Sequence, residues 1–169
     1  MALTISPARS DGDIDAVRKL CREFERAMRL RYSDQVWLLE SYFEPERWFE
    51  ELRDIGKLYA APAGEILLAR IDDMPVGCVM MRKLEDGVCE MKRLFVTEKA
   101  RGQQAGSRLC ESLIALAKER GYKFMRLDTG FKQPEARQLY DKFGFVSIPA
   151  YYQLPTPVAD LLDFMQLAL

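Results

Sequence analysis

A loop with two glycines, Arg101-Gly102-Gln103-Gln104-Ala105-Gly106, joins an apolar run to an amphipathic segment that begins at Ser107. The apolar run, Leu94-Phe95-Val96, is typical of a strand, so the loop leads from a strand into a helix. A helix N-terminus presents unpaired N–H groups and a partial positive charge, and glycine lets an anion approach the backbone closely. The pattern therefore predicts a cradle for a diphosphate. A plain surface turn in which Gly106 merely starts the helix explains the same residues.

The loop differs from two widespread phosphate-binding motifs. No Lys-Ser or Lys-Thr follows its last glycine, as in the NTPase loop, and the three-glycine dinucleotide fingerprint is absent. A small nucleotide-phosphate binder unrelated to group transfer remains one interpretation of the loop. The chain also has no histidine, which excludes Ser-His and Cys-His nucleophile pairs and His-ligated zinc. Acid-base chemistry must fall to Glu, Asp, Tyr, Lys, Cys or water.

Three blocks around the loop resemble the GNAT superfamily of acyl-CoA-dependent N-acetyltransferases. They are Cys89–Val96 before the loop, and Arg126–Thr129 and Pro134–Phe145 after it. In that family the fourth strand leads into a loop of pattern Arg/Gln-x-x-Gly-x-Gly/Ala that holds the coenzyme A pyrophosphate. A later Asn-x-x-Ala-x-x-x-Tyr helix precedes a Gly-Phe. The matching positions here are Arg101, Gly106, Ala136, Tyr140 and Gly144-Phe145.

Two positions depart from the family pattern. Gln104 replaces the usual first glycine of the loop, and Gln133 stands where Asn is common. Neither change removes a backbone donor, but Gln104 lacks the conformational freedom of glycine and its side chain could crowd the phosphates. The resemblance is specific over residues 89–145. Over residues 3–88 only the order of elements agrees.

The resemblance implies acetyl-CoA as co-substrate, no metal, and transfer of the acetyl group to a primary amine of a small molecule or peptide by direct attack in a ternary complex. A non-catalytic acyl-CoA sensor is the alternative, and a homodimer stays open. The splay that the family shows after its fourth strand would leave backbone groups of that strand free for the pantetheine arm. The implied coenzyme-binding residues are Leu94, Phe95, Val96, Arg101, Gly102, Gln103, Gln104, Ala105, Gly106, Ser107 and Gln133, of which the last could instead cap its helix.

Acyl transfer needs an acceptor for the amine proton, for which Glu90 is the candidate. Strand alternation places Glu90, Lys92, Leu94 and Val96 on one face, so that the carboxylate could look toward the thioester directly or through a water. Family members that use a strand-four glutamate as base carry it about this far ahead of the loop. An ion pair of Glu90 with Lys92 or with a cross-strand base is the alternative.

The departing thiolate needs a proton donor, for which Tyr140 is the candidate. A phenol has a pKa of about 10, so it is protonated at neutral pH and can donate to a thiolate. A core tyrosine at helical spacing is the alternative. Arg29 and Arg31 could bind an acidic group on the acceptor, although a solvated helix end explains them too. Six aromatic residues are expected around the acceptor mouth or in the core: Tyr32, Trp37, Phe43, Trp48, Tyr151 and Tyr152.

Hydrophobic periodicity and turn residues predict the elements that position these groups. Residues 13–30 and a segment opening at Glu44-Pro45-Glu46 form helices, separated by an aromatic connector from Arg31 to Phe43. The predicted strands are Leu3–Ile5, Glu65–Ile71, Val76–Arg82, Val88–Val96, Tyr122–Leu127, Phe145–Ile148 and Asp163–Leu169. One further helix follows the glycine loop and ends at Gly121. Another spans residues 134–143. The order predicts an α/β fold with one GNAT-like domain over residues 1–169. Its central mixed, mostly antiparallel sheet of about seven strands is flanked by helices and splayed between strands 4 and 5.

Composition narrows the class of partner. The 25 basic and 26 acidic residues nearly balance, which argues against a nucleic-acid surface. No apolar stretch approaches the roughly 20 residues of a membrane helix, and no leader precedes the first strand. The four cysteines are scattered through apolar segments, as expected of buried free thiols in a reducing compartment. We therefore expect a cytoplasmic protein without membrane contact.

Overall fold

The computed structural model describes residues 2–169, in which seven strands form one mixed sheet. The strands are β1 (Leu3–Pro7), β2 (Glu65–Ile71), β3 (Met74–Glu85), β4 (Val88–Val96), β5 (Phe124–Gly130), β6 (Val146–Ser147) and β7 (Leu162–Ala168). The helices are α1 (Asp11–Arg31), α2 (Val36–Tyr42), α3 (Pro45–Leu58), α4 (Ala105–Glu119), α5 (Pro134–Phe143) and α6 (Thr156–Ala159). The strand order is β1-β2-β3-β4-β5-β7-β6, and only the β4–β5 pair is parallel. The predicted fold class is confirmed.

Local sequence signals explain most element ends. Ser10 accepts a hydrogen bond from the backbone N–H of Asp13, whose side chain accepts one in return from Ser10, so a capping box starts α1. Pro134 begins α5, and Gly144 ends it in the left-handed conformation at φ +91°. Asp72 and Asp73 both have positive φ, as a two-residue hairpin between β2 and β3 requires.

Three predicted stretches differ from the structure. The connector from Arg31 to Phe43 contains helix α2, whose start has no capping side chain. The proline-rich stretch before β7 contains the one-turn helix α6. Helix α4 begins at Ala105 and not at Ser107, because Gln104 takes the N-cap position in the left-handed conformation. Gly106 therefore lies in the first turn of the helix.

Strands β4 and β5 diverge soon after they pair. Their ladder joins Val88–Glu90 to Phe124–Arg126 and stops there, although β4 continues to Val96. Beyond the ladder β5 pairs only with β7, along its whole length. The predicted splay between strands 4 and 5 is confirmed, and the edge of β4 from Met91 to Val96 has no strand partner on that side.

A bulge in β4 changes which side chains share a face. Cys78 of β3 pairs with Phe95 and Met80 pairs with Lys92, so two residues of β4 oppose one residue of β3. Arg93, within the bulge, has φ +57°. The predicted common face of Glu90, Lys92, Leu94 and Val96 is therefore wrong, because the extra residue reverses the alternation.

The sheet separates two hydrophobic cores. One core packs α4 and α5 against one face and includes Leu94 and Val96. The other packs α1, α2 and α3 against the opposite face and includes Phe95. Among residues 2–169, no helix is long and apolar enough to cross a membrane.

Candidate active site

The start of helix α4 offers unpaired backbone donors. Its first backbone hydrogen bond runs from the N–H of Arg108 to the carbonyl of Gln104, at 3.0 Å. The N–H groups of Ala105, Gly106 and Ser107 precede that bond and stay available to a ligand. A methyl group added at Gly106 would make only ordinary contacts, the nearest with Val96 Cγ2 at 3.8 Å. The arrangement can hold an anion.

The loop before α4 contributes less backbone than predicted. The N–H groups of Arg101 and Gln103 donate to the carbonyls of Glu98 and Ala100, at 3.0 and 3.1 Å. These two residues can therefore reach a ligand only with their side chains, and the Arg101 side chain is 82% exposed. Gly102 has φ +80°, and a methyl group added there would have no heavy atom within 4 Å, so its backbone is approachable.

Three spaces follow one another along β4. An outer channel is lined by Glu23, Arg26, Ala27, Leu30, Arg31, Phe95, Val96, Thr97, Glu98, Arg101 and Glu135. A central cleft of about 740 Å³, open mouth included, is lined by Phe24, Met28, Tyr32, Leu38, Leu39, Tyr42, Phe43, Met91, Lys92, Arg93, Leu94, Asp128, Thr129, Gly130, Gln133, Ala136, Tyr140 and Leu162. A charged groove is lined by Tyr42, Arg47, Trp48, Glu50, Glu51, Asp54, Leu58, Arg82, Leu84, Glu90, Lys92, Arg93, Tyr152, Gln153 and Leu154.

The outer channel and the cleft suit the arm of a coenzyme. Thr97 lines the channel, and its hydroxyl oxygen is buried without a hydrogen-bond partner among residues 2–169. The unpaired edge of β4 borders both spaces, as the splay requires. On the far side of the cleft, Gln133 accepts a hydrogen bond from the N–H of Gly130 at 3.1 Å and does not cap α5.

Tyr140 lines the central cleft from α5. Burial raises the pKa of its phenol above the ordinary range, and no hydrogen bond contributes to this shift. Its ring packs against Phe145, with centroids 5.6 Å apart. The hydroxyl is thus protonated at neutral pH and free to donate into the cleft, while the ring is part of the core.

Glu90 lines the charged groove and not the cleft that holds Tyr140. Its side chain is 2% exposed and pairs with the guanidinium of Arg82, the residue opposite it on β3, at 2.8 Å. Tyr151 donates a second hydrogen bond to it at 2.7 Å. The structure therefore contains the cross-strand ion pair that was the alternative for Glu90. Its role as a base stays a prediction.

The sequence interpretation missed a second buried carboxylate, Asp128, near the end of β5. Tyr42 and Tyr152 each donate a hydrogen bond to it, at 3.1 and 2.9 Å, and its side chain is 2% exposed. Burial raises the pKa of both tyrosines, and the negative charge of Asp128 adds to that effect. An acidic residue directly after the predicted strand Tyr122–Leu127 was the one signal in the sequence.

A polar chain extends from Asp128 into the charged groove. The hydroxyl of Tyr42 accepts a hydrogen bond from Arg93 at 3.4 Å, and Arg93 donates two bonds to Glu51, at 3.0 and 2.8 Å. Burial alone would raise the pKa of Glu51, but the guanidinium of Arg93 outweighs it and holds that pKa below the ordinary range. Arg93 also lies over the ring of Trp48, 4.7 Å from its centroid. This chain fixes the wall that the cleft and the groove share.

The other residues that were predicted to contact the acceptor lie in different parts of the structure. Arg29 pairs with Glu25 at 2.7 Å and Arg31 pairs with Glu135, so both have carboxylate partners within the protein. Of the six aromatic residues, Tyr32 and Phe43 line the cleft, while Trp48 and Tyr152 line the groove. Tyr151 contacts Glu90 instead, and Trp37 lines none of the three spaces. No group of three or more His, Cys, Asp or Glu side chains among residues 2–169 could hold a metal ion.

The comparisons with known proteins agree with this geometry. A sequence profile described as the acetyltransferase (GNAT) family matches residues 21–145. An uncharacterized N-acetyltransferase of Schizosaccharomyces pombe is 31% identical over 92% of this chain and 90% of its own length. The chain belongs to the GNAT family of acetyltransferases.

Two further comparisons are informative. The protein named IAA acetyltransferase from Azospirillum brasilense is 35% identical over 78% of this chain and 77% of its own length. The PaiA N-acetyltransferase of Thermoplasma acidophilum, solved in complex with coenzyme A, superposes with a TM-score of 0.72 over 100% of both chains at 15% identity. The second likeness shows a shared fold.

Proposed function

We propose that this protein transfers an acetyl group from acetyl-CoA to the primary amine of a small molecule or peptide, by direct attack in a ternary complex. The splay between β4 and β5 is the observation that carries the proposal. It sets the free N–H groups of α4, the unpaired edge of β4 and the Tyr140 hydroxyl around spaces that follow one another. The coenzyme A complex of the Thermoplasma relative, which has the same fold, supports the choice of acyl donor.

Backbone groups make most of the proposed contacts with acetyl-CoA. The N–H groups of Ala105, Gly106 and Ser107 hold the diphosphate, with Gly102 and the side chains of the loop completing the cradle. The free edge of Leu94, Phe95 and Val96 pairs with the amides of the pantetheine arm, and one of its N–H groups polarises the acetyl carbonyl. Gln133 closes the cleft from the side of α5.

Two side chains move the protons. Tyr140 donates its hydroxyl proton to the thiolate as the carbon–sulfur bond breaks. Glu90 takes a proton from the amine through a water in the charged groove, because its carboxylate lines that groove and not the cleft. Burial raises the pKa of Cys89 and of Cys110 to about 12, which makes both thiols poor nucleophiles and supports transfer without a covalent enzyme intermediate.

We further propose that residues 1–169 act as one acetyltransferase domain in the cytoplasm. All four cysteines are free and buried, as in proteins of a reducing compartment.

Incubation with acetyl-CoA and a panel of primary amines, with release of free thiol as the readout, tests the reaction. Thiol release that depends on the amine supports the enzyme. Binding of coenzyme A without thiol release for any amine supports the sensor instead. Equal affinity for ATP and coenzyme A indicates a general nucleotide-phosphate binder.

A further inference from the structure

The cations of the charged groove are almost all satisfied within the protein. Arg82 pairs with Glu90 and Arg93 pairs with Glu51, each at 2.8 Å. Arg47 donates to the backbone carbonyl of Ser41 at 2.7 Å. The exception is Lys92, whose one ion pair within residues 2–169, with Asp128, is 3.8 Å long and contains no hydrogen bond, so its ammonium keeps a binding capacity that the fold does not use.

The surroundings of Lys92 define that capacity. Its ammonium lies 3.8 Å from the nearest carboxylate oxygen, on Asp128, and its side chain is 12% exposed. The distance is too long for a hydrogen bond, and both oxygens of Asp128 already accept bonds from Tyr42 and Tyr152. The three N–H donors of the ammonium thus make no hydrogen bond within residues 2–169. An ammonium without a hydrogen-bond partner in the protein, on a side chain that is 12% exposed, gains from a charged hydrogen bond to an anionic oxygen.

The position of Lys92 links it to the acceptor. Lys92 lines both the charged groove and the central cleft. An amine that reaches the cleft from the groove passes this ammonium, which can then bind a substituent next to the amino group. We propose that Lys92 binds a carboxylate of the acceptor, so that the acceptor is an α-amino acid or a similar amine with a carboxylate next to its amino group. This inference rests on the proposed function.

Charge balance favours a zwitterion over a phosphate. Four cations, Arg47, Arg82, Lys92 and Arg93, and five carboxylates, Glu50, Glu51, Asp54, Glu90 and Asp128, line the groove or the adjoining cleft. A ligand with one positive and one negative group leaves the net charge of this lining unchanged, whereas a dianionic phosphate would be repelled by the excess of carboxylates. The ammonium of the acceptor is attracted toward Asp128 while its carboxylate is attracted toward Lys92.

The reaction removes the positive charge of the acceptor and leaves its negative charge in place. The nitrogen forms the amide bond, the thioester carbon–sulfur bond breaks, one proton of the ammonium ends on the thiolate and a second is released to solvent. The carboxylate is unchanged, so the product carries one net negative charge. It no longer has a cation for Asp128 and Glu90 to attract, which favours its release.

Matched acceptors test the inference on the unmodified protein. Phenylalanine, phenylalaninamide and phenethylamine share a side chain and differ only in the carboxylate, and a leucine series repeats the comparison. We expect kcat/KM, measured by thiol release, to be at least about 10-fold higher for the amino acid than for its amide or amine, as for a charged hydrogen bond. Equal or reversed preference in both series overturns the inference and leaves the acetyltransferase proposal intact. Absence of thiol release with every amine overturns both.

A variant series tests the residue. Lys92→Gln should raise KM for the amino acid about 10- to 100-fold, with kcat, KM for acetyl-CoA and the kinetics of the amides changed little. Lys92→Arg keeps the charge and should recover part of the affinity. Lys83→Gln, which removes an exposed lysine paired with Asp86 on the neighbouring turn, is the control and should behave as the parent protein. An equal loss of activity toward amino acids, amides and amines in Lys92→Gln overturns the assignment.

Discussion

The diphosphate cradle can be tested by a substitution that the free fold accepts. Gly106 lies in the first turn of α4, and the nearest atoms to an added Cβ are Val96 Cγ2 at 3.8 Å and Leu139 Cδ2 at 3.9 Å. These are ordinary contacts, so Gly106→Asp should fold. An acidic side chain in the first turn of a helix stabilises it by about 0.3–1 kcal/mol, and replacing a helical glycine also favours the helix. The melting temperature of the ligand-free variant should therefore equal or exceed that of the parent.

Coenzyme A binding should change in the opposite direction. Unit charges about 4 Å apart repel by about 1 kcal/mol even at the dielectric constant of water. Against the two charges of a diphosphate, the new carboxylate should cost about 2 kcal/mol, which is roughly a 30-fold loss of affinity. At a coenzyme concentration of a hundred times the parent Kd, stabilisation should fall from about 2.7 to about 0.9 kcal/mol. For a protein of this size that reduces a thermal shift of about 5–11 °C to about 2–4 °C.

Thermal scans with and without coenzyme A, combined with calorimetry, measure both effects. Gly106→Asn has nearly the same bulk without the charge and should lose much less affinity, and Gly56→Asp in α3 controls for an added acid elsewhere. A parent-like thermal shift in Gly106→Asp would falsify the cradle assignment. Equal losses in the Asp and Asn variants would assign the effect to bulk and not to charge.

Three further predictions follow from the site. Tyr140→Phe keeps the ring and its packing, so coenzyme A affinity should be unchanged while kcat and kcat/KM fall together by about 100-fold or more; a thioester with a more acidic thiol should rescue the variant more than the parent, and equal rescue would count against proton donation. Glu90→Gln should lower the rate about 10²- to 10⁴-fold, with the smallest defect at high pH, where the amine is already deprotonated; a defect of constant depth across pH would indicate a positional role. Because Arg93 holds the pKa of Glu51 below its ordinary value, this ion pair stabilises the fold above the unfolded-state pKa of about 4.3 and the stabilisation is lost as the pH falls through the lower folded pKa; in acid denaturation, Glu51→Gln should show a shallower decline of stability over that range, and an unchanged slope would refute the contribution of the pair.

The sequence predicted those elements whose ends carry their own signals. The bounds of β2 and β4 were predicted correctly, because turn residues flank both runs. The bounds of α5 were also correct, because Pro134 can begin a helix and Gly144 can end one. Helix α2 was missed since it is short and lacks a capping side chain. Its stability comes from tertiary packing, in which Leu38 and Leu39 are buried. No local sequence pattern predicts this packing.

The site was predicted less completely than the fold. The family pattern indicated the loop and Tyr140, whose roles stay predictions, but alternation placed Glu90 on a shared face that the bulge at Arg93 abolishes. A bulge that depends on a non-glycine residue at positive φ has no reliable sequence signal. Asp128 was missed, and Lys92 was considered only as a partner of Glu90, because the proximity of Lys92 and Asp128 joins two strands that pair only briefly. The sequence alone therefore did not predict this wall of the cleft.

The two separate cores have a consequence for engineering. Helices α4 and α5 pack on one face of the sheet, while α1, α2 and α3 pack on the other. Helices α1 and α2 contribute to the outer channel or the central cleft, whereas α3 lines only the charged groove among the three spaces. Substitutions on α3 can therefore reshape the groove without repacking the core beneath α4 and α5, because the sheet separates the two cores. A combinatorial library confined to α3 thus tests directly whether the groove determines the choice of acceptor.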